Sequence, residues 1–396
     1  MNPAGSIDAG ALAARATAIL ERLVAFDTTS HRSNLELIGW VESYLDGHGV
    51  MSQRVPNAKG DKCNLLATIG PAVAGGIVLS GHTDVVPVEG QPWTSDPFTL
   101  TRRGDRLFGR GTCDMKGFLA LALAAVPDIR NGPPRRPAHL AFTYDEEIGC
   151  LGAPSLIRRL AQTLPEPALV LVGEPTNLQV VSAHQGIIVH EVTVRGREAH
   201  SSQPHLGASA IMSAVRLMAV LSEIAERLER DADPTSPYEP KGGTLTIGQI
   251  QGGTAANILA LDCRFVFDLR APAGVDPDVV LADFHAQAAI EDTALKARAT
   301  DGGVTVKVLG DVPAFEAPPG GAGEVLARRL AGDNGPTRAV SFAAEAGQFQ
   351  TAGFPTILCG PGSIDQAHQP DEYIEVSQME RGAALMSRLV DELSRP

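Results

Sequence analysis

Four short apolar runs set the architecture this chain can adopt. Asn64 to Ile69, Gly76 to Ser80, Ala138 to Thr143 and Ala168 to Val172 are bracketed by Gly, Pro or polar turns. A strand with one wet face alternates apolar and polar residues, whereas an unbroken apolar run is a strand buried on both faces. Such strands need helices on both faces of their sheet. Helical spacing occurs where that demands it, in Leu12, Ile19, Leu20 and Leu23, in Leu37, Val41 and Leu45, and between the strands in Lys116 to Val126 and Gly152 to Leu160. The order predicts an α/β domain with a mixed, largely parallel sheet flanked by helices. Functional groups in such domains collect at the carboxyl ends of strands.

The texture changes after about Gly186. Ile187 to Val194 and Thr244 to Ile250 alternate, and Ser209 to Leu228 is a long amphipathic helix. With a strand from Asn257 to Leu269, a helix near Asp276 to Ile290 and a strand near Val304 to Leu309, the order suits a helix-backed four-stranded sheet, an inserted α+β ferredoxin-like domain. At 396 residues the chain exceeds one ordinary domain. We expect a first domain of residues 1–185 and 311–396, interrupted by a second at 186–310.

Composition excludes several classes. A formal net charge of −13 and the absence of any Lys/Arg-rich run leave no footprint for nucleic acid. The five cysteines are scattered and never spaced Cys-x-x-Cys, which argues against a disulfide framework and a thiolate zinc site and suits a reducing cytoplasm. Asp8, Arg15, Glu21 and Arg22 interrupt the N-terminal apolar residues, so neither a secretory leader nor a membrane span is expected.

Every polar group of chemical interest follows the end of an apolar run. His82 and Asp84 follow the second, and a carboxylate there can accept the imidazole's other N–H and fix its tautomer. Asp114 lies in a glycine-rich turn before a helix, where it could bridge two metals or cap the helix. Asp145-Glu146-Glu147 follows the third run, Glu174 the fourth, and His368 the strand at Thr356 to Leu358. Carboxylates gathered at one sheet edge repel one another unless cations neutralise them. Two histidines, several carboxylates and no thiolate form a donor set suited to zinc and tolerant of cobalt or manganese.

Ser80 to Pro87, Gly109 to Gly117, Tyr144 to Gly149, Gly173 to Thr176 and Ala367 to Tyr373 together resemble the motifs of the M20 metallopeptidase family, in order and spacing. That resemblance implies a zinc-peptidase-like catalytic domain with an inserted lid and dimerisation domain. It implies two zinc ions per subunit, one held by His82 and Glu174, the other by Glu147 and His368, with Asp114 bridging. Glu146 would be the general base acting on a bridging water, and Asp84 would support His82. His200 resembles the family histidine that steadies the oxyanion, commonly from the partner subunit of a homodimer. Asn257 and Arg270 look like substrate-gripping positions, although Arg270 also suits a strand-end salt bridge, and Glu345 would meet a substrate ammonium. The implied reaction is hydrolysis of the acyl-amide bond of an N-acyl-amino acid, N-acetyl-L-ornithine first among the substrates. Succinyl-diaminopimelate, other acyl-amino acids and dipeptides are the alternatives. A metal-bearing binding protein without turnover is disfavoured, because a degenerate site loses a ligand or the base and here all six positions are filled.

Overall fold

The computed structural model describes residues 7–132 and 134–395. Two compact units divide the chain, Met1–Ser182 with Glu316–Arg338 and Ala344–Pro396, and Ala183–Phe315 with Ala339–Ala343.

The first unit is built on a large mixed sheet running in the order Ser52–Pro56, Cys63–Ile69, Ala138–Thr143, Ile77–His82, Leu169–Pro175 and Thr356–Gly360. The four strands from Ala138–Thr143 to Thr356–Gly360 are mutually parallel, and every residue of these four is buried. Burial of both faces explains why their sequences carry no alternation. Helix Lys116–Asn131, apolar almost all round, is buried along most of its length and packs against Ala9–Val24 and Val376–Leu393. Asp8 caps the Ala9–Val24 helix by accepting from the Gly10 and Ala11 amides at 2.9 and 3.2 Å. Helices Leu35–Gly47 and Ala153–Thr163 pack against Cys63–Ile69. Parallel strands share one carboxyl edge, so His82, the Asp145–Glu147 segment, Glu174 and the approach to His368 all issue from the same side of this sheet.

The second unit is a separate antiparallel sheet, Thr244–Gly252, Asp262–Ala271, Gly186–Arg195 and Gly303–Val312. Helices Ala210–Arg230 and Ala282–Lys296 cover one face, burying Leu217, Leu221, Phe265, Phe267 and Phe284 in a common core. The other face is wetter, which is why Asp262–Ala271 alternates in burial. The strand foreseen from Asn257 begins only at Asp262; the residues before it are drawn into the loop at His200, where Ser201 N donates to Asn257 O at 2.9 Å. Among the described residues no helix is long and apolar enough to cross a membrane.

Candidate active site

The parallel strand ends bring together residues far apart in sequence. His82 Nε2 lies 3.0 Å from Asp114 Oδ1, and His368 Nε2 lies 3.3 Å from Asp114 Oδ2. Each oxygen of one carboxylate thus faces a different imidazole. His368 Nε2 also meets Glu147 Oε2 at 2.9 Å. Donor atoms of His82, Asp114 and Glu147 sit within 4.8 Å of one another, close enough to share an ion. Asp114 does not cap the helix that follows: the cap position is Met115, and no side chain bonds there.

Local folding holds these groups in place. His82 Nδ1 is 2.9 Å from the main-chain carbonyl of Asp84, while the Asp84 carboxylate stands 3.7 Å away. The tautomer is therefore set by the backbone of Asp84, and the carboxylate is spent elsewhere, accepting from Ser30 Oγ at 2.7 Å and from the Glu146 and Glu147 amides at 3.2 and 3.4 Å. Lys62 pairs with Asp145 below this turn. Backbone strain concentrates here, with Asp145, Cys150 and His368 at φ 57, 53 and 62. At Gly173 an added Cβ would meet the Phe118 ring at 2.0 Å, so only glycine lets Glu174 be presented this way.

Burial and mutual repulsion govern the charges. Burial, then the neighbouring Asp114 charge, pushes Glu147 up to about 7. Glu146 and Glu174 are also driven well above the ordinary carboxylate value, first by burial and then by Glu174 and Asp114 respectively. Burial works to raise Asp114, but hydrogen bonds from His368 and His82 hold it below the usual range. His368, bonded to Asp114 and Glu147, rises to about 10, and His82 rises despite its burial because Asp114 faces it. Buried oxygens Glu147 Oε1 and Glu174 Oε1 have no hydrogen-bond partner; orphaned acceptors beside two imidazoles are what divalent ions would satisfy.

Residues 78–392, a span that includes Asp114 and His368, match the model of a known family, peptidase family M20/M25/M40. The chain belongs to that family. It is a metal-dependent hydrolase of the M20 type. Similar curated proteins include acetylornithine deacetylases of Proteus mirabilis, 36% identical over 93% of this chain and 92% of the relative, and of Myxococcus xanthus, 36% identical over 94% and 96%. Among solved structures the fold resembles an M20 family metallo-carboxypeptidase of Sulfolobus solfataricus, with a TM-score of 0.75, 16% identity and coverage of 96% and 99%. Human carnosine dipeptidase 1 gives 0.74, 17%, and 98% of both chains.

The remaining residues singled out from the sequence fall into two places. Glu345, at the start of helix Ala346–Thr351, is buried, takes Ser80 Oγ at 3.2 Å and is pushed to about 7 by burial; its Oε1 has no partner. His200, Asn257 and Arg270 belong to the second unit. His200 is exposed, with Nδ1 2.8 Å from Ser202 Oγ, and pairs with Ile258 beside Asn257. Arg270 Nε is 3.3 Å from Asp268 Oδ2, and Nη1 donates to Ser341 O at 3.4 Å. Two residues escaped the sequence reading. Glu372 accepts from the Gly111, Cys113 and Asp114 amides at 3.0, 2.8 and 3.0 Å and so shapes the Asp114 loop; its sequence signal is its place in the Ala367 to Tyr373 motif, four residues after His368. Cys150 gave no signal beyond its nearness to Glu146.

Proposed function

We propose that the chain removes the acyl group from an N-acyl-amino acid, with N-acetyl-L-ornithine its preferred substrate, releasing L-ornithine and acetate. The observation that carries this reading is the Asp114 carboxylate, one oxygen toward His82 and the other toward His368. In this reading His82 and Glu174 would hold one zinc and Glu147 and His368 another, with Asp114 serving both, and cobalt or manganese could substitute. Such ions would acidify a water and polarise the amide carbonyl. Glu146 takes the proton of the attacking water and delivers it to the departing amine nitrogen as the C–N bond breaks. Asp84 keeps the Glu146–Glu147 segment in register through the two amides it binds.

Asn257 and Arg270 orient the substrate's polar groups, Arg270 by exchanging Asp268 for a substrate carboxylate. Glu345 answers the ornithine ammonium, a role its unpartnered Oε1 supports. His200 steadies the oxyanion from the partner subunit of a homodimer formed through the inserted domain of residues 186–310. The five cysteines are free, which supports a reducing, cytoplasmic setting. The curated relatives named acetylornithine deacetylase support the substrate choice.

Zinc-loaded protein should be offered N-acetyl-L-ornithine, N-succinyl-diaminopimelate, neutral N-acetyl-amino acids and dipeptides. A kcat/KM at least tenfold higher for N-acetyl-L-ornithine, about 1.4 kcal/mol of discrimination, is expected. A better rate on another member reassigns the substrate, and no amine released from any of them rejects deacylation.

A further inference from the structure

The glutamate proposed as base touches a side chain that this scheme leaves idle. Residues 146–150 form one tight turn, in which the Gly149 and Cys150 amides both reach the Glu146 carbonyl, at 2.9 and 2.8 Å. Cys150 closes it at φ 53, a conformation for which glycine is the usual choice. Its carbonyl accepts from Gln348 Nε2 at 3.3 Å, tying the turn to helix Ala346–Thr351. The fold thereby aims Sγ back at its own turn, 3.4 Å from Glu146 Oε1, with the residue 2% exposed.

We propose that Cys150 is a positioning residue for the general base, its thiol donating a hydrogen bond to Glu146 Oε1 that fixes the carboxylate's orientation. The inference rests on Glu146 being the base. A thiol is a weak donor with a long reach, so it can pin one oxygen without occupying the other. Burial, and then the charge of Glu146, keeps the sulfur protonated. Loss of that hydrogen bond should let the carboxylate swing away from the orientation in which it meets the attacking water.

Two variants separate this from a purely structural role. Cys150→Gly suits the backbone and removes the donor; Cys150→Ser keeps a donor and the same backbone demand. For Cys150→Gly we expect kcat lowered roughly tenfold with KM within about twofold, and bound metal unchanged. Cys150→Ser should recover much of the lost rate. Because serine reaches less far, the S–H stretch in the infrared difference between wild type and Cys150→Gly supplies a readout independent of turnover, and it should lie at a hydrogen-bonded frequency. A Cys150→Gly enzyme with wild-type rate, a free-thiol frequency, or loss of metal in that variant overturns the inference. Glu146→Gln tests the underlying assignment separately: retained turnover there removes Glu146 as base, whereas an inactive Glu146→Gln beside a Cys150→Gly enzyme of wild-type rate rejects the role of Cys150 alone.

Discussion

Arg110 Nη1 and Glu372 Oε2 meet at 2.8 Å with both side chains 1% exposed, and the pair braces two segments of the candidate metal centre at once. Glu372 collects the amides of the Asp114 loop. Arg110 Nη2 donates to Gln91 Oε1 at 2.6 Å, and Gln91 Nε2 donates to the His368 carbonyl at 2.9 Å. The guanidinium also lies over the Trp93 ring, 5.0 Å from its centroid.

Breaking that pair from one side leaves a buried carboxylate uncompensated. Arg110→Met should therefore cost about 3–5 kcal/mol of unfolding free energy. Glu372→Gln, which keeps an acceptor for the loop amides, should cost less. Denaturant unfolding of chelated protein measures both, and a loss under about 1 kcal/mol for Arg110→Met would show that the pair holds nothing.

Gly173→Ala should destabilise through overpacking, by about 1–3 kcal/mol, because its Cβ would enter the Phe118 ring. The strain falls beside Glu174, so metal retention should weaken as well. Phe118→Leu in the Gly173→Ala background should recover part of the loss, a coupling that a double-mutant cycle reads. Additive effects would mean that the two residues do not meet.

His139 gives a pH signature distinct from the metal centre. Burial holds its imidazole down to about 4, against about 6.5 in an unfolded chain. Between those values the unfolded chain binds a proton that the folded chain refuses, so stability rises with pH across the window and is lost as pH falls through it. The group accounts for up to about 3 kcal/mol of that slope. Unfolding of chelated protein at pH 7 and pH 4.5 should show a flatter dependence in His139→Gln than in wild type; equal slopes would place the His139 pKa near its unfolded value.

The parallel core was legible because burial on both faces leaves unbroken apolar runs, and Ala138–Thr143 has the bounds read from the sequence. The edge strand Ser52–Pro56 was not, since its polar, mostly exposed residues carry no burial signal. Asp114 is undecidable from sequence because helix capping and ion bridging both place an acid before a helix; only the positions of His82 and His368 separate them. Asp84 was singled out, but which of its oxygens meets His82 depends on turn geometry that no residue type encodes. Cys150 and Glu372 act through contacts that exist only after the turns close, and a lone Cys or Glu in a motif does not announce its hydrogen bonds.

The most direct test is the divalent metal content of zinc-supplied protein after removal of loosely held ions, determined by elemental analysis for wild type and for Glu146→Gln. The cluster of His82, Asp114, Glu147, Glu174 and His368 predicts two ions per chain in both proteins, with turnover lost only in Glu146→Gln. Fewer than one ion per chain across repeated preparations would contradict it.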